Sequence, residues 1–194
     1  MVGFDQRLFE AINGIVGRWA ILDNVIKLLA SDFFLPVVIA LAAFALWFVG
    51  RSMEDRLVNQ KGFLYAAIGA GFANLAVRLF NEGFERPRPF ITLEDVNVLF
   101  YRPTDPTFPS NAAAYAFAMA AGVWLVNRRW GIVIGVAATL FASARVVAGM
   151  HYPLDVVSGA LIGVLVTWFF AKLLNLIQPV LDWALRLLRV FWVA

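Results

Sequence analysis

From Pro109 to Asn127 the chain carries no charged residue, and Arg128-Arg129 closes the run. A helix needs about 20 apolar residues to cross the hydrocarbon core of a bilayer, and this stretch supplies nearly that many. Four other runs read the same way. Phe33 to Gly50 is uncharged between Asp32 and Arg51, and Gly62 to about Phe80 is apolar with Arg78 near its far end. Trp130 to about Val147 carries Arg145 near its end, and Val156 to Ala171 is extended past Lys172 by Leu173 and Leu174. Within lipid each backbone N–H and C=O must be satisfied inside the segment, so the runs predict helices. The fold class expected is all-α integral membrane with about five transmembrane helices.

Composition supports one polytopic membrane domain over residues 1–194. Hydrophobic residues make up 62% of the chain and charged residues only 15%. The mean hydropathy of +0.78 is too high for a soluble domain of this size. The ends are amphipathic. In residues 4–30 the apolar Phe4, Leu8, Phe9 and Ile12 alternate with Asp5, Arg7, Glu10, Arg18 and Asp23, which suits an interface-lying N-terminal region, 1–32. The transmembrane core is expected over 33–175 with an outer loop at 81–109. A C-terminal tail, 176–194, carries Asp182, Arg186 and Arg189 on an otherwise apolar helix running to Trp192, and could instead help make a sixth crossing. The N-terminus lacks the basic and then apolar pattern of a cleavable signal, so insertion is expected to rest on the internal segments.

Several chemistries are excluded by what the chain lacks. It has no cysteine, so neither disulfides nor thiolate metal sites are expected. One histidine without an acidic cluster around it argues against a transition-metal site, and no cofactor is expected. The net charge of +3 comes from Arg and Lys beside apolar runs, which favours anionic lipid headgroups over nucleic acid as partners. Trp124, Trp130, Trp168 and Trp183 read as an aromatic belt.

Alternating the crossings brings Arg51 to Lys61, Arg128-Arg129 and Lys172 to one side, which the positive-inside rule makes cytoplasmic. The outer side collects three polar segments distant in sequence. They are the proline-rich loop with Arg86 and Arg88, the start of the third run at Ser110, and the seam from Arg145 to Asp155. That seam holds His151, the only histidine, four residues before Asp155. With Pro153 at the first position of a helix, His151 and Asp155 lie about one turn apart. The carboxylate could then orient one ring nitrogen and leave the other free as a nucleophile. Arginine forks and the free amides at a helix start form an oxyanion cradle. Singly, each piece has a plainer reading: a capped histidine, a snorkelling arginine, an ordinary helix cap.

Arg86-Pro-Arg88-Pro, Phe108-Pro-Ser110-Asn111, and Arg145 spaced to His151 and Asp155 resemble, in order, the three motifs of the type 2 phosphatidic acid phosphatase family. The His-Tyr-Pro-Leu-Asp form of the third motif is similar to the undecaprenyl diphosphate phosphatases of the bacitracin-resistance type. The resemblance implies a phosphatidic acid phosphatase/haloperoxidase-like helical core in a bacterial inner membrane, with its site facing the periplasm or cell exterior. It implies hydrolysis of undecaprenyl diphosphate through a phosphohistidine, with a polyprenyl or other lipid phosphate as substrate. His151 would be the nucleophile, Asp155 its orienting partner, and Arg88, Ser110, Asn111 and Arg145 the phosphate cradle, with Asn81, Arg86 and Arg78 as further candidates.

Two positions depart from the family pattern. Asn81 stands where the first motif has a lysine, and Ala112 where the second has a histidine that serves as general acid. General acid catalysis contributes roughly 10²- to 10⁴-fold, so the chain as written is expected to be slow or inert. Residual activity should favour diphosphates, whose leaving group is a phosphate monoester with a second pKa of roughly 6. Tyr115 and Asn111 are nearby alternative donors. The alternatives are a phospholipid phosphate phosphatase, acting for example on phosphatidylglycerophosphate, and a non-catalytic lipid-phosphate binding protein that holds substrate without turnover.

Overall fold

Apolar runs punctuated by capping residues give helices, and in the computed structural model residues 2–190 are described. Their elements are α1 (Val2–Asn13), α2 (Ala20–Ala30), α3 (Phe34–Ala45), α4 (Met53–Gly83), a single turn α5 (Pro89–Thr92), α6 (Asn111–Trp124), α7 (Arg128–Val147), α8 (Pro153–Leu176) and α9 (Gln178–Val190). A 3₁₀ turn at Leu46–Phe48 continues α3, and there is no strand among the described residues. The helix starts are chemically marked. Ser52 and Asp55 form a reciprocal capping box at α4, Ser110 caps α6, Asn127 caps α7, and Pro153 occupies the first turn of α8.

Three helices, α4, α7 and α8, are long and apolar enough to cross a bilayer, and α2 with α3 makes a fourth such unit bent by 48°. The first expected crossing, Phe33 to Gly50, corresponds to α3 and its 3₁₀ turn; α3 alone has 12 residues, and α2, expected at the interface, joins it across the break at Ser31 and Asp32. The third expected crossing, α6, has 14 residues, about 21 Å at the α-helical rise. It stands in the middle of the bundle against α4, α7 and α8. The chain is a multi-pass membrane protein, and Ile132, Val136, Leu161 and Leu165, all more than half exposed, are apolar surface for lipid.

α6 is central because its side chains are small. Ala113, Ala114, Ala116 and Ala118 have no exposed surface. Without a hydrophobic drive between helices in lipid, close backbone approach is what holds them together. α8 meets α6 through Gly159 and Gly163, where an added Cβ would lie 2.2 Å from the Ser110 carbonyl oxygen and 2.3 Å from that of Ala114. On the α4 side, a Cβ at Gly122 would lie 2.2 Å from the Ala66 nitrogen.

The two ends of the bundle differ. At one end α9 docks on the start of α4, with Lys61 Nζ 2.6 Å from Asp182 Oδ1 and Leu185 buried against Trp47 and Leu57. These contacts hold α9 as an amphipathic tail at that end; Trp192 lies outside the described residues. At the other end α1 and α2 cover the turn between α7 and α8. The Phe9 ring meets Tyr152 edge-on at 5.4 Å, and Asn13 Nδ2 donates to the carbonyls of Asn97 and Val147 at 2.9 and 2.8 Å. The N-terminal region therefore does more than lie along the interface: it is built into the end of the bundle that carries the polar loops.

Gly159→Val should force α8 away from the start of α6. Overpacking of this kind costs about 1–3 kcal/mol, so the melting temperature in detergent should fall by at least about 2 °C. Gly135→Ala, at a position with open space around it, should leave it unchanged.

Candidate active site

α7 ends in a glycine-dependent turn. Gly149 has φ +82°, and the Met150 amide donates back to the Arg145 carbonyl at 3.0 Å. The turn delivers His151, 3% exposed, beneath the end of the proline-rich loop. Its Nδ1 lies 3.0 Å from Thr107 Oγ1 and 3.1 Å from the Thr107 carbonyl oxygen. The Thr107 hydroxyl donates to Asp155 Oδ2 at 2.6 Å. This network fixes the tautomer. The threonine proton is committed to the carboxylate and a carbonyl can only accept, so Nδ1 carries the hydrogen and Nε2 keeps its lone pair. Asp155 thus acts on His151 through Thr107 and not by the direct contact that the sequence suggested.

Asp155 itself has no exposed surface. Its Oδ2 also accepts from the Tyr152 amide at 2.8 Å, and its Oδ1 from Arg86 Nη1. Arg86 Nη2 reaches a second buried carboxylate, Asp5 of α1, at 2.7 Å, and Asp5 Oδ1 accepts from the Leu154 amide at 3.0 Å. Two buried carboxylates would be uncompensated without this guanidinium, which explains why Arg86 faces them. It also lies 4.2 Å over the Tyr152 ring. Arg86 was expected among the phosphate ligands; it is a clamp behind Asp155, away from the cavity that His151 lines.

That cavity has a volume of about 370 Å³ and is lined by Arg88, Arg145, His151, Asn81, Asn111 and Ala112, among others. Arg88 is 3% exposed. Its Nε and Nη2 donate to the backbone carbonyl and carboxylate of Asp105, both at 2.9 Å, and its Nη1 to the Met150 carbonyl at 2.9 Å. A guanidinium has five N–H groups, so two remain for an anion. Burial pushes the Arg88 pKa below its usual value, opposed by Asp105. Arg145 Nη1 donates to the Ala30 carbonyl at 3.3 Å and to Asp32, while its Nε is buried without a partner. An unpaired buried donor beside a cavity is costly unless a ligand uses it.

These charges act on His151. Burial first, then Arg145 and Arg88, push its pKa well below 6.5, against the opposing hydrogen bond to the Thr107 backbone. The ring is neutral at pH 7, and the Nε2 lone pair is available.

Other expected ligands fall differently. Ser110 is fully buried and serves as the cap of α6, its Oγ accepting from the Ala113 amide at 3.4 Å while its own amide donates to the Asp155 carbonyl at 2.9 Å. It thereby ties the starts of α6 and α8 together. The amides of Asn111 and Ala112 follow it in the first turn, where no intrahelical acceptor exists. Arg78 is exposed on α4, pairs with Glu82 at 3.4 Å, and does not line the space that His151, Arg88 and Arg145 line. Tyr115 lines the cavity, but its hydroxyl donates to the Pro36 carbonyl at 3.2 Å. Ala112 presents only a methyl group. Sequence reasoning missed Thr107, Asp5, Asp32 and Asp105. Of these only Thr107 was signalled, by its place directly before Phe108-Pro109-Ser110.

Residues 61–178 match the PAP2 superfamily. The chain belongs to that superfamily. It is 27% identical over 184 residues to the undecaprenyl-diphosphatase BcrC of Bacillus subtilis (strain 168), covering 94% of this chain and 91% of the relative. Among solved structures it is similar to LpxE of Aquifex aeolicus, with 30% identity, a TM-score of 0.66, and coverage of 86% of this chain and 93% of the other. A Bacillus subtilis transmembrane PAP2 type phosphatidylglycerolphosphate phosphatase shares the fold, with a TM-score of 0.61 at 22% identity over 89% of this chain and 85% of the other. In this PAP2 chain the matched segment holds Arg88, Thr107, Arg145, His151 and Asp155, whereas Asp5 on α1 and Asp32 in the bend between α2 and α3 come before it.

Asp5→Ala strands Arg86 beside one carboxylate and removes the acceptor for the Leu154 amide. Breaking a buried pair costs about 3–5 kcal/mol, so a large fall in melting temperature is expected, whereas Glu10→Ala, on an exposed part of the same helix, should have none. Equal melting of Asp5→Ala and the parent would contradict the clamp.

Proposed function

We propose that this chain is a lipid diphosphate phosphatase whose substrate is undecaprenyl diphosphate or a close polyprenyl relative. The observation that carries the reading is that His151, its Nδ1 engaged by Thr107, shares a cavity with Arg88 and with the unpaired Nε of Arg145. The similarity to undecaprenyl-diphosphatase BcrC over most of both chains supports the substrate class.

In the first step Nε2 attacks the terminal phosphorus, the P–O bond to the bridging oxygen breaks, and the lipid monophosphate leaves. The positive charge of the imidazolium that forms is stabilised by the contact of its Nδ1–H with Thr107 and, behind it, by the Asp155 carboxylate that Arg86 holds. Arg88, Arg145 and the amides at the start of α6 stabilise the equatorial oxygens. In the second step water attacks phosphorus, the P–N bond breaks and phosphate is released. Ala112 supplies no proton to the leaving group and no base to the water, so the parent chain is slow. The same feature supports a second reading, a protein that binds lipid diphosphate without turning it over.

We place the site at the periplasmic or outer face of a bacterial inner membrane. Arg51, Arg128, Arg129 and Lys172 border the opposite ends of the helices, as the positive-inside rule requires of the cytoplasmic side. The segments before and after the core, 1–32 and 176–194, are read as parts of the same phosphatase domain.

The test is phosphate release from undecaprenyl diphosphate in detergent. Ala112→His should raise the rate by about 10²-fold or more, and adding His151→Ala should abolish it. If no variant releases phosphate while the lipid still binds, the protein is a binder. A protonated imidazole has no lone pair, so the rate of Ala112→His falls as pH drops through the His151 pKa. Its acid limb should lie below pH 6.5; a limb at or above 6.5 would contradict the burial argument.

A further inference from the structure

The cavity at His151 has a second lobe that the phosphohistidine chemistry does not use. This lobe, of about 430 Å³, shares Asn74, Asn81, Asp105 and Asn111 with the first and adds Arg78, while His151, Arg88 and Arg145 belong to the first alone. Asn74, Arg78 and Asn81 stand at i, i+4 and i+7, a polar stripe along one face of α4. On a helix that crosses lipid, such a stripe is expensive unless it serves a partner.

Two atoms show that the stripe is not satisfied within the protein. The Oδ1 atoms of Asn74 and Asn81 are both buried without a hydrogen-bond partner. An asparagine amide exposes a carbonyl at one edge and two N–H groups at the other, and a half-turn about its last torsion exchanges them. Both oxygens face inward and neither Nδ2 donates a hydrogen bond among the described residues, so the N–H edges are available to an anion. Arg78 adds a cation engaged only by an exposed pairing with Glu82. The one carboxylate lining this lobe, Asp105, is held at 2.9 Å by Arg88. Ala112, with only a methyl group, lines the first lobe beside Asn111, which lines both.

We propose that the second lobe is a subsite for the non-transferred phosphate of a lipid diphosphate, bound by the amides of Asn74, Asn81 and Asn111 with Arg78 at its mouth. The proposal rests on the phosphatase reading and deepens it, because a single phosphate can occupy one lobe only, whereas a diphosphate can reach into both. When the P–O bond breaks, its electron pair stays on the oxygen of the phosphate in the second lobe. That oxygen is stabilised by N–H donors and needs no proton, so the subsite and Ala112 are two parts of one arrangement.

The test is binding of farnesyl diphosphate and farnesyl monophosphate to the full chain in detergent micelles, measured by calorimetry. Asn74→Leu combined with Asn81→Leu should weaken the diphosphate at least tenfold and the monophosphate less than threefold. Arg78→Gln, an exposed change that leaves packing intact, should weaken the diphosphate alone by threefold or more. Equal losses for both ligands would assign the asparagines to the first lobe and overturn the subsite, as would no loss for either. If the parent chain binds neither ligand, the phosphatase reading fails and the subsite with it. Binding of both ligands with unaltered affinities in the variants overturns the subsite alone.

Discussion

A carboxylate with no solvent exposure, at the start of α8, is the constraint on which the rest of the site depends. Asp155 can be ionised there only because Arg86, the Thr107 hydroxyl and the Tyr152 amide meet its oxygens. Each of those contacts fixes another segment. Arg86 anchors the proline-rich loop and, through Asp5, the first helix. Thr107 places the end of that loop over His151. The Asp155 backbone carbonyl accepts from Ser110 and sets the start of α6 beside it. Burying one charge therefore organises four segments far apart in the chain, and the imidazole they surround is neutral with a defined tautomer.

Close packing makes this geometry possible in lipid. α6 is short and made largely of alanine, and α8 approaches it at two glycines, so the starts of both helices reach the same cavity. The cradle draws on backbone and side chains that helix-to-helix contact has already positioned. Arg88 and Arg145 hold carbonyls and rim carboxylates, yet keep N–H groups for an oxyanion, so the field exists before a ligand arrives. Burial first, and then these two guanidiniums, depress the histidine pKa and leave Nε2 with its lone pair.

Much of this was legible in the sequence where a feature is local. Uncharged runs marked α4, α7 and α8, and the spacing of Arg88, Ala112, Arg145 and His151 marked residues that come together at one cavity. What was not legible depends on partners distant in sequence. Arg86 and Arg88 look equivalent in Arg-Pro-Arg-Pro, but only Arg86 meets Asp5, a residue of the amphipathic N-terminal segment that no motif marks. Thr107 is an ordinary loop residue until His151 and Asp155 are brought to it. α6 reads as a full crossing because residues 125–127 are apolar or neutral, although the helix has ended by then. The bend between α2 and α3 follows from Ser31 and Asp32, whose effect on a continuous apolar stretch depends on Arg145 pairing with Asp32.

The central claim is that His151 stands neutral with its proton on Nδ1 and its lone pair on Nε2. Because the chain has one histidine, ¹⁵N labelling of histidine gives the ring nitrogens of this site alone, and their shifts in detergent micelles at pH 7 test the claim directly. The account predicts one protonated nitrogen, Nδ1, and one unprotonated nitrogen, Nε2, persisting below pH 6.5. Two protonated nitrogens at pH 7, or a proton on Nε2 with Nδ1 bare, would contradict it.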